Sequence, residues 1–301
     1  MEKVKLGKTG LDVTRLGIGL SEIGTSDQKN VSQLLMAALE SGINFFDTSS
    51  CYGRSEEFTG KVLSNYRDDI VLASKCGHSS KFNPGLSDWS YEGIKASIER
   101  SLKLLNTDRL DLIQIHSCGV EELKKEEMMK ALEEAKSSGK VLHIGYSGDN
   151  EAALWAAESE LFETIQTSFN LVEQKARYKL FKATEENNLG VIAKRPIANA
   201  AWRALESPSV SSAPSNYAEE YYRRAQVMGD LGKLTDEPED RILTSMGFVF
   251  SFDQVNVSII GTQNLNHLKS NINMYNQSLP IPKATIEDLC LKFDKVGRDW
   301  Q

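Results

Sequence analysis

Short apolar runs alternate along this chain with segments in which apolar residues recur at the spacing of an amphipathic helix. Val31, Leu34, Leu35 and Ala38, for example, would share one helix face. Eight apolar runs predict β-strands at residues 15–20, 43–48, 70–75, 111–116, 141–147, 164–169, 191–197 and 255–260. Helices are predicted at 28–41, 55–64, 90–105, 121–138, 151–157, 176–188 and 264–275.

This alternation of strands and helices predicts a parallel sheet. Eight strands in 301 residues favour closure into one (β/α)8 (TIM) barrel, an α/β fold, with residues 1–301 forming a single domain. The alternative is an open, doubly wound sheet, which would carry a glycine-rich phosphate turn after its first strand. The corresponding segment, Gly17-Ile18-Gly19-Leu20-Ser21, lacks the third glycine, so we interpret its glycines as close backbone packing at a barrel mouth.

Two segments lie outside the repeat. Residues 1–13 predict a β-hairpin that turns around 7–10 and closes the bottom of the barrel. Residues 198–240 form a long loop between the seventh and eighth strands. Within it, 206–214 is too rich in Ser and Pro for a regular helix, and a short helix is predicted around 217–228. Long excursions of this kind are usually lids or binding loops.

The charge balance limits the possible partners. Acidic residues number 42 against 35 Lys and Arg, and the net charge of −7 argues against a general nucleic-acid binder or a partner of anionic membranes. The N-terminus lacks the apolar core of a signal peptide, and no apolar run is long enough to span a bilayer. We therefore expect a cytoplasmic protein that acts on a small molecule.

The four cysteines favour a reducing compartment, because they lie far apart and form no CxxC motif. Cys51, Cys76 and Cys118 nevertheless lie close to the candidate catalytic residues, which raises the possibility of a zinc site or a redox switch. Strand alternation argues against a shared site, because Cys76 would point away from its neighbour Lys75. We expect no metal and interpret the thiols as packing residues.

Candidate chemistry lies at the C-terminal ends of the predicted strands, where the loops of a barrel build its active site. Asp47, Lys75 and His116 lie at the ends of strands two, three and four, and Tyr52 follows in the loop after strand two. An adjacent ammonium would lower the pKa of Tyr52 toward the working range of a general acid. Asp47 would keep Lys75 charged, and a neutral His116 could polarise a carbonyl oxygen.

The sequence around these residues resembles that of the aldo-keto reductase family. The resemblance lies in GINFFDTSSCYGRSE at 42–56 and SLKLLNTDRLDLIQIH at 101–116, and extends over essentially the whole chain. It implies NAD(P)H-dependent reduction of an aldehyde or ketone to an alcohol, or the reverse oxidation. It also implies a catalytic tetrad of Asp47, Tyr52, Lys75 and His116, in which Tyr52 is the general acid.

The resemblance extends to the residues that would hold the cofactor. Ser147 and Gln166 would bind the nicotinamide carboxamide, although Gly148 stands where an asparagine is usual. Lys194 or Arg195 would cover the nicotinamide ring in place of an aromatic side chain. The adenosine end would contact Gly261, Thr262, Gln263, Asn264, His267 and Asn271.

The resemblance implies NADP as the expected cofactor, because it is the family's usual choice. NAD is the alternative, because members that prefer NADPH usually carry Lys or Arg around this last turn, where this chain has Gly261, Gln263 and His267. Lys269 would compensate only if it faced the ligand. Candidate residues for the substrate pocket are Ser21, Glu22, Phe82, Trp89 and Trp202. In the predicted lid helix we interpret Tyr217, Tyr221, Tyr222, Arg223 and Arg224 mainly as a solvated face.

Two other functions fit the same barrel. One is a catalytically weak, cofactor-sensing interaction subunit, like the barrel subunits attached to some potassium channels. The other is an aldolase in which Lys75 forms a Schiff base. The sequence does not indicate the particular substrate, the physiological direction or the oligomeric state.

Overall fold

The computed structural model describes residues 1–206 and 216–300 of the chain. Eight parallel strands form a closed barrel, in which each strand pairs with the next along the chain and the last pairs with the first. The strands are β3 (Leu16–Gly19), β4 (Phe45–Asp47), β5 (Val71–Cys76), β6 (Leu110–His116), β7 (Val141–Ser147), β8 (Thr164–Ser168), β9 (Gly190–Lys194) and β10 (Val257–Gly261). The predicted (β/α)8 barrel is confirmed, with every strand close to its predicted position.

The α-helices within the described ranges surround this barrel. They are α1 (Gln28–Glu40), α2 (Ser55–Leu63), α3 (Tyr91–Leu105), α4 (Val120–Leu123), α5 (Glu126–Ser137), α6 (Asn150–Glu158), α7 (Leu180–Glu186), α8 (Ala201–Ala204), α9 (Asn216–Gly229), α10 (Arg241–Phe250), α11 (Leu265–Gln277) and α12 (Lys283–Val296). The predicted helix at 121–138 is divided into α4 and α5. Helices α10 and α12 were not predicted, and the segment 207–215 lies outside the described residues.

The first residues form the predicted hairpin. Strand β1 (Lys3–Lys5) pairs antiparallel with β2 (Asp12–Thr14), and Gly7–Thr9 forms a 3-10 turn between them. Leu6 and Val13 are fully buried and pack against the apolar residues inside the barrel. The hairpin therefore closes the N-terminal end of the barrel, which leaves the C-terminal ends of the strands as the end open to ligands.

Strand alternation separates an inner from an outer core. Phe45 and Ala73 point into the barrel and belong to the small inner cluster. Their neighbours Phe46 and Leu72 belong to the large cluster between the strands and the helices. Since residues two apart share a face, Asp47 and Lys75 continue the inward rows that Phe45 and Ala73 begin. The same alternation places Cys76 in the outer core, as predicted.

No α-helix among the described residues is long and apolar enough to cross a membrane. The described ranges also contain no group of three or more His, Cys, Asp or Glu side chains arranged to hold a metal ion. The cysteines are all free thiols.

Candidate active site

A buried ion pair lies at the centre of the open end. The Lys75 ammonium on β5 contacts the Asp47 carboxylate at the end of β4 and donates a hydrogen bond to the Thr48 carbonyl at 2.9 Å. Lys75 is 1% exposed and Asp47 is 2% exposed, so the pair is shielded from solvent. An unpaired charge at this depth would be unfavourable, and the two groups neutralise each other.

Tyr52 and His116 lie beside this ion pair. The Lys75 Nζ atom is 5.1 Å from the centre of the Tyr52 ring. The rings of Tyr52 and His116 meet edge to face, with centroids 5.8 Å apart and planes at 83°. The loop that carries Tyr52 is tied to β5, because the Ser50 hydroxyl donates to the Lys75 carbonyl at 3.1 Å. The structure thus brings the four predicted catalytic residues together at one mouth.

Two glutamines complete the hydrogen bonding of Asp47. Its second oxygen, Oδ1, accepts from Gln114 Nε2 at 2.9 Å and from Gln166 Nε2 at 3.0 Å, and Ser147 donates to Gln166 Oε1 at 3.0 Å. Ser147 and Gln166 are therefore linked to the Asp47 carboxylate as well as being cofactor candidates. Gln114 was missed as a site residue. Gln114 lies two residues before His116 on the same strand, so strand alternation would have predicted that its side chain also points into the barrel.

The charges around Lys75 and Tyr52 set their protonation. Burial alone would lower the pKa of Lys75, but Asp47 and Tyr52 together raise it, so the side chain stays an ammonium ion. For Tyr52, burial raises the pKa and outweighs the opposite influence of Lys75. Lys75 lowers the pKa of Tyr52 as predicted. The net shift of this pKa is nevertheless upward, because desolvation of the phenolate is the larger effect. Tyr52 is therefore a protonated phenol at neutral pH.

His116 is neutral. Burial and the nearby cations lower its pKa to about 2. Its Nδ1 atom lies 3.4 Å from the Ser49 hydroxyl and 3.5 Å from the Cys51 thiol. Its backbone carbonyl accepts from Trp89 Nε1 at 3.0 Å. Cys51 therefore contacts a catalytic candidate, and the interpretation of this thiol as simple packing was incomplete, whereas Cys76 and Cys118 are buried in the outer core.

A cavity of about 1520 Å³ connects this centre with the N-terminus of α11. Asp47, Tyr52 and His116 line its inner end. The predicted cofactor residues that line it are Gln166, Lys194, Arg195, Gly261, Thr262, Gln263, Asn264, His267 and Asn271. Among the predicted substrate residues, Ser21 and Glu22 line the cavity.

The three predicted aromatic substrate residues do not line the cavity. Trp89 is turned toward the His116 carbonyl, and Trp202 is buried and donates to Glu237 at 2.6 Å. Phe82 packs under the guanidinium of Arg100 instead. These rings make contacts within the protein and do not form the cavity wall.

The residues at the end of β9 are already paired. Lys194 Nζ lies 3.1 Å from Asp149 Oδ2, and Arg195 Nη1 donates to the Ser168 hydroxyl at 2.6 Å. Burial lowers the pKa of Lys194 against the influence of Asp149. Desolvation opposes ionisation of Asp149, but these cations hold its pKa down at about 2. Asp149 was not identified from the sequence, and it holds both cations at the cavity wall.

The glycine that replaces the usual asparagine after Ser147 has a steric reason. A Cβ atom built on Gly148 would lie 2.1 Å from the Tyr146 hydroxyl oxygen. That hydroxyl donates to the Cys118 carbonyl at 2.6 Å and is held in place by it. A side chain at position 148 is therefore excluded by Tyr146.

The first turn of α11 is capped from within. The Asn264 side chain accepts from the backbone N–H groups of Asn266 at 2.8 Å and His267 at 3.3 Å. Asn271, further along α11, is only 6% exposed and lines the cavity, and its side chain has no hydrogen-bond partner among the described residues. The amide of Asn271 is therefore available to a ligand in the cavity.

Part of the lid helix is more buried than predicted. Arg224 is 2% exposed and pairs with Glu173 and Glu220, and Tyr221 is 4% exposed. The interpretation of this face as solvated was therefore wrong for these two residues. Arg223 is exposed and pairs with Glu220, whereas the side chain of Tyr217 lies outside the described residues.

Comparison with known proteins agrees with this architecture. The Aldo/keto reductase family model matches residues 15–289, so the chain belongs to the aldo-keto reductase family. The oxidoreductase YqkF of Bacillus subtilis (strain 168) is 29% identical over 288 residues, which are 92% of each protein. The aldo-keto reductase PA4992 of Pseudomonas aeruginosa is 29% identical with a TM-score of 0.70, over 92% of this chain and 95% of that one.

The holo structure of the aldo-keto reductase AKR11C1 from Bacillus halodurans is similar in fold, with a TM-score of 0.80. It is 24% identical and covers 97% of this chain, and this chain covers 96% of it. Enzymes of this family are oxidoreductases that act on carbonyl compounds with nicotinamide cofactors. The chain is therefore an oxidoreductase, as the sequence motifs implied.

Proposed function

We propose that this enzyme interconverts an aldehyde or ketone with its alcohol, using a nicotinamide dinucleotide, with Tyr52 as the general acid or base. The observation that carries the proposal is the meeting of Asp47, Tyr52, Lys75 and His116 at one end of a cavity that reaches α11. The bound cofactor supplies the hydride chemistry. The protein supplies orientation and the proton.

Tyr52 gives its proton to the carbonyl oxygen in the direction of reduction. Burial keeps the phenol protonated before the reaction, and the Lys75 ammonium stabilises the negative charge left on its oxygen afterwards. Asp47 holds Lys75 in its charged form. In oxidation the phenolate accepts the proton of the alcohol. General acid–base catalysis of this kind contributes about 10²–10⁴-fold in rate.

His116 orients the carbonyl oxygen in this proposal. Its pKa of about 2 keeps the imidazole neutral, so it does not compete with Tyr52 as the proton source. When Ser49 or Cys51 donates to Nδ1, the ring proton is on Nε2, from which the imidazole can donate a hydrogen bond to the substrate.

The cofactor contacts are proposed from the same cavity. Gln166 is assigned to the nicotinamide carboxamide together with Ser147, which does not itself line the cavity but donates to Gln166. Lys194 and Arg195 are assigned to cover the nicotinamide ring. The adenosine end is assigned to the turn and helix that contain Gly261, Thr262, Gln263, Asn264, His267 and Asn271. The unpartnered amide of Asn271 supports this fit. The use of NADP, with NAD as the alternative, stays a prediction. The cytoplasmic location also stays a prediction.

Replacement of Tyr52 by Phe tests the proposal. We expect Tyr52→Phe to lower the turnover of aldehydes and ketones by about 10²–10⁴-fold, while reduced cofactor still quenches the tryptophan fluorescence of the protein. Turnover unchanged by this substitution would contradict the role of Tyr52. Absence of turnover on a broad aldehyde panel, despite tight cofactor binding by the unmodified protein, would favour a cofactor-sensing interaction subunit.

A Schiff-base mechanism is disfavoured by the state of Lys75. Attack on a carbonyl requires the neutral amine. The ion pair with Asp47 and the raised pKa keep Lys75 protonated. Borohydride treatment in the presence of carbonyl substrates should therefore leave Lys75 unmodified. A trapped adduct on this residue would support the aldolase alternative.

A further inference from the structure

NAD and NADP differ at one oxygen of the adenosine ribose. In NADP the 2′-oxygen carries a phosphate with a charge of about −1.5 to −2 at pH 7, whereas in NAD it is a hydroxyl. A phosphate requires cationic side chains or free backbone N–H groups. A ribose hydroxyl instead requires a hydrogen-bond acceptor, which a carboxylate provides. The groups at the β10–α11 end of the cavity can therefore be compared with each requirement.

Within the described residues, the β10–α11 turn and helix α11 contribute no lysine or arginine to the cavity lining. The cavity-lining side chains of the turn and of α11 are mainly amides and hydroxyls: Thr262, Gln263, Asn264, Asn266, His267, Ser270 and Asn271. Lys269 is exposed and does not line the cavity. The cationic residues that do line it come from other elements, namely Lys81 after β5, Lys194 and Arg195 at β9, and Arg203 on α8.

Backbone donors at this helix terminus are also largely occupied. Thr262 Oγ1 accepts from the Asn264 N–H at 3.0 Å. The Asn264 side chain accepts from the N–H groups of Asn266 and His267. Three of the N–H groups that could bind a phosphate at this helix N-terminus are thus satisfied by the chain itself.

A carboxylate is held beside the same turn. A Cβ atom built on Gly261 would lie 3.6 Å from Glu22 Oε1, so this oxygen is close to the backbone of the turn. The loop that carries Glu22 is fixed there, because Gln263 Nε2 donates to the Glu22 carbonyl at 2.6 Å and Asn30 donates to the Gln263 carbonyl at 2.8 Å. Glu22 lines the cavity and has no ion-pair partner among the described residues.

We propose that Glu22 makes the enzyme prefer NAD over NADP: its carboxylate accepts a hydrogen bond from an adenosine ribose hydroxyl and repels a 2′-phosphate. The proposal rests on the proposed function, which assigns the adenosine end of the cofactor to α11. Two like charges a few ångströms apart at the edge of a protein repel strongly enough to change affinity by at least about tenfold. In the part of the chain that the structure describes, neither the turn nor α11 places a lysine or arginine in the cavity lining to compensate for this repulsion.

Direct binding tests the proposal without any carbonyl substrate. NADH and NADPH are titrated separately into the full-length protein, and the two Kd values are obtained by calorimetry and by quenching of tryptophan fluorescence. We expect NADH to bind at least about tenfold more tightly than NADPH. In Glu22→Gln the ratio of the NADPH Kd to the NADH Kd should shrink by about tenfold, mainly because NADPH binds more tightly.

Glu40→Gln is the matched control. It removes one exposed carboxylate at the far end of α1, outside the cavity, and changes the net charge equally. Its NADH to NADPH ratio should equal that of the unmodified protein. NADPH binding as tightly as NADH, or a ratio that Glu22→Gln leaves unchanged, would overturn the proposal. A preference for NADPH that is lost in Arg203→Gln would overturn it in favour of a phosphate site formed by α8.

Failure of the inference can be told apart from failure of the proposed function. If both dinucleotides bind equally well and carbonyl turnover depends on Tyr52, only the role of Glu22 is wrong. If neither dinucleotide binds, the proposed function is wrong, and the inference falls with it.

Discussion

The two ends of the cavity are built in opposite ways. At the inner end, Lys75 and Asp47 are buried and form an ion pair, and Gln114 and Gln166 donate to Asp47, although Oε1 of Gln114 accepts no hydrogen bond from the described part of the chain. At the outer end, Glu22 and Asn271 are polar groups whose side chains have no partner among the described residues. The inner end is therefore held together by a buried ion pair within the protein, whereas the outer end presents side chains that contact only the cavity.

This contrast has an energetic consequence. A buried ion pair is part of the fold, because removal of one partner leaves a charge with no solvation. An unpartnered amide beside a cavity contributes little to folding, and its hydrogen bonds are made only in the complex. Substitutions at the inner end should therefore affect both stability and turnover, and those at the outer end should affect binding alone.

The largest effect is expected for Lys75→Met. Turnover should fall by about 10²–10⁴-fold because the phenolate of Tyr52 loses its counter-charge. The free energy of unfolding should fall by about 3–5 kcal/mol because Asp47 remains buried without a partner. Initial rates and chemical denaturation measure the two effects. Adding Asp47→Asn to this variant should restore stability but leave turnover low. If stability stayed reduced in the double variant, the uncompensated charge would not be the cause.

The neutral state of His116 predicts a pH dependence of stability. Its pKa is about 2 in the folded protein and near 6.5 when unfolded, so the unfolded chain binds the proton first as pH falls. Its contribution is complete above about pH 6.5 and is lost at up to about 1.4 kcal/mol per pH unit below it. Urea denaturation between pH 5 and pH 8 should show a shallower decline in His116→Gln than in the unmodified protein. Parallel curves would contradict a depressed pKa.

Asn271→Ala should weaken cofactor binding by about tenfold, since the hydrogen bonds of a buried amide to the ligand contribute about 0.5–1.5 kcal/mol or more. The free energy of unfolding should change little because this side chain has no partner among the described residues. Fluorescence titration and denaturation of the same variant test both expectations. A large loss of stability would show that Asn271 belongs to the fold.

The smallest effect is expected for Lys269→Gln. This lysine is exposed and does not line the cavity, so its loss should change the Kd of NADPH by less than about twofold. A loss of NADPH affinity of about tenfold or more would place Lys269 at the ligand. It would also weaken the contrast between the two ends of the cavity.

The barrel and the order of the four catalytic residues could be predicted from the sequence, because both follow from local periodicity. Strand alternation carries Asp47 and Lys75 to the same inner surface, and the aldo-keto reductase motifs identify the family. Helix α10 was not predicted. Eight of its ten residues are buried, so the segment offers few exposed polar positions to mark a helical period. The roles of the individual residues stay predictions.

Interactions between distant strands could not be predicted. Gln166 on β8 reaches Asp47 on β4 only after the barrel has closed, across 119 residues of sequence. The net direction of the Tyr52 pKa depends on how completely the phenol is buried, which no local pattern indicates. The aromatic residues expected in the pocket were misplaced for the same reason, since Trp202 turns toward Glu237.

The most direct test of the central claim follows the transferred hydride and the proton donor together. Reduced cofactor carrying deuterium at both C4 positions is incubated with a panel of carbonyl compounds, and the mass of the alcohol is measured for the unmodified protein and for Tyr52→Phe. We expect the unmodified protein to form alcohol that is heavier by one deuterium. Tyr52→Phe should form the same labelled alcohol about 10²–10⁴ times more slowly. Labelled alcohol formed at the same rate by both proteins would contradict it.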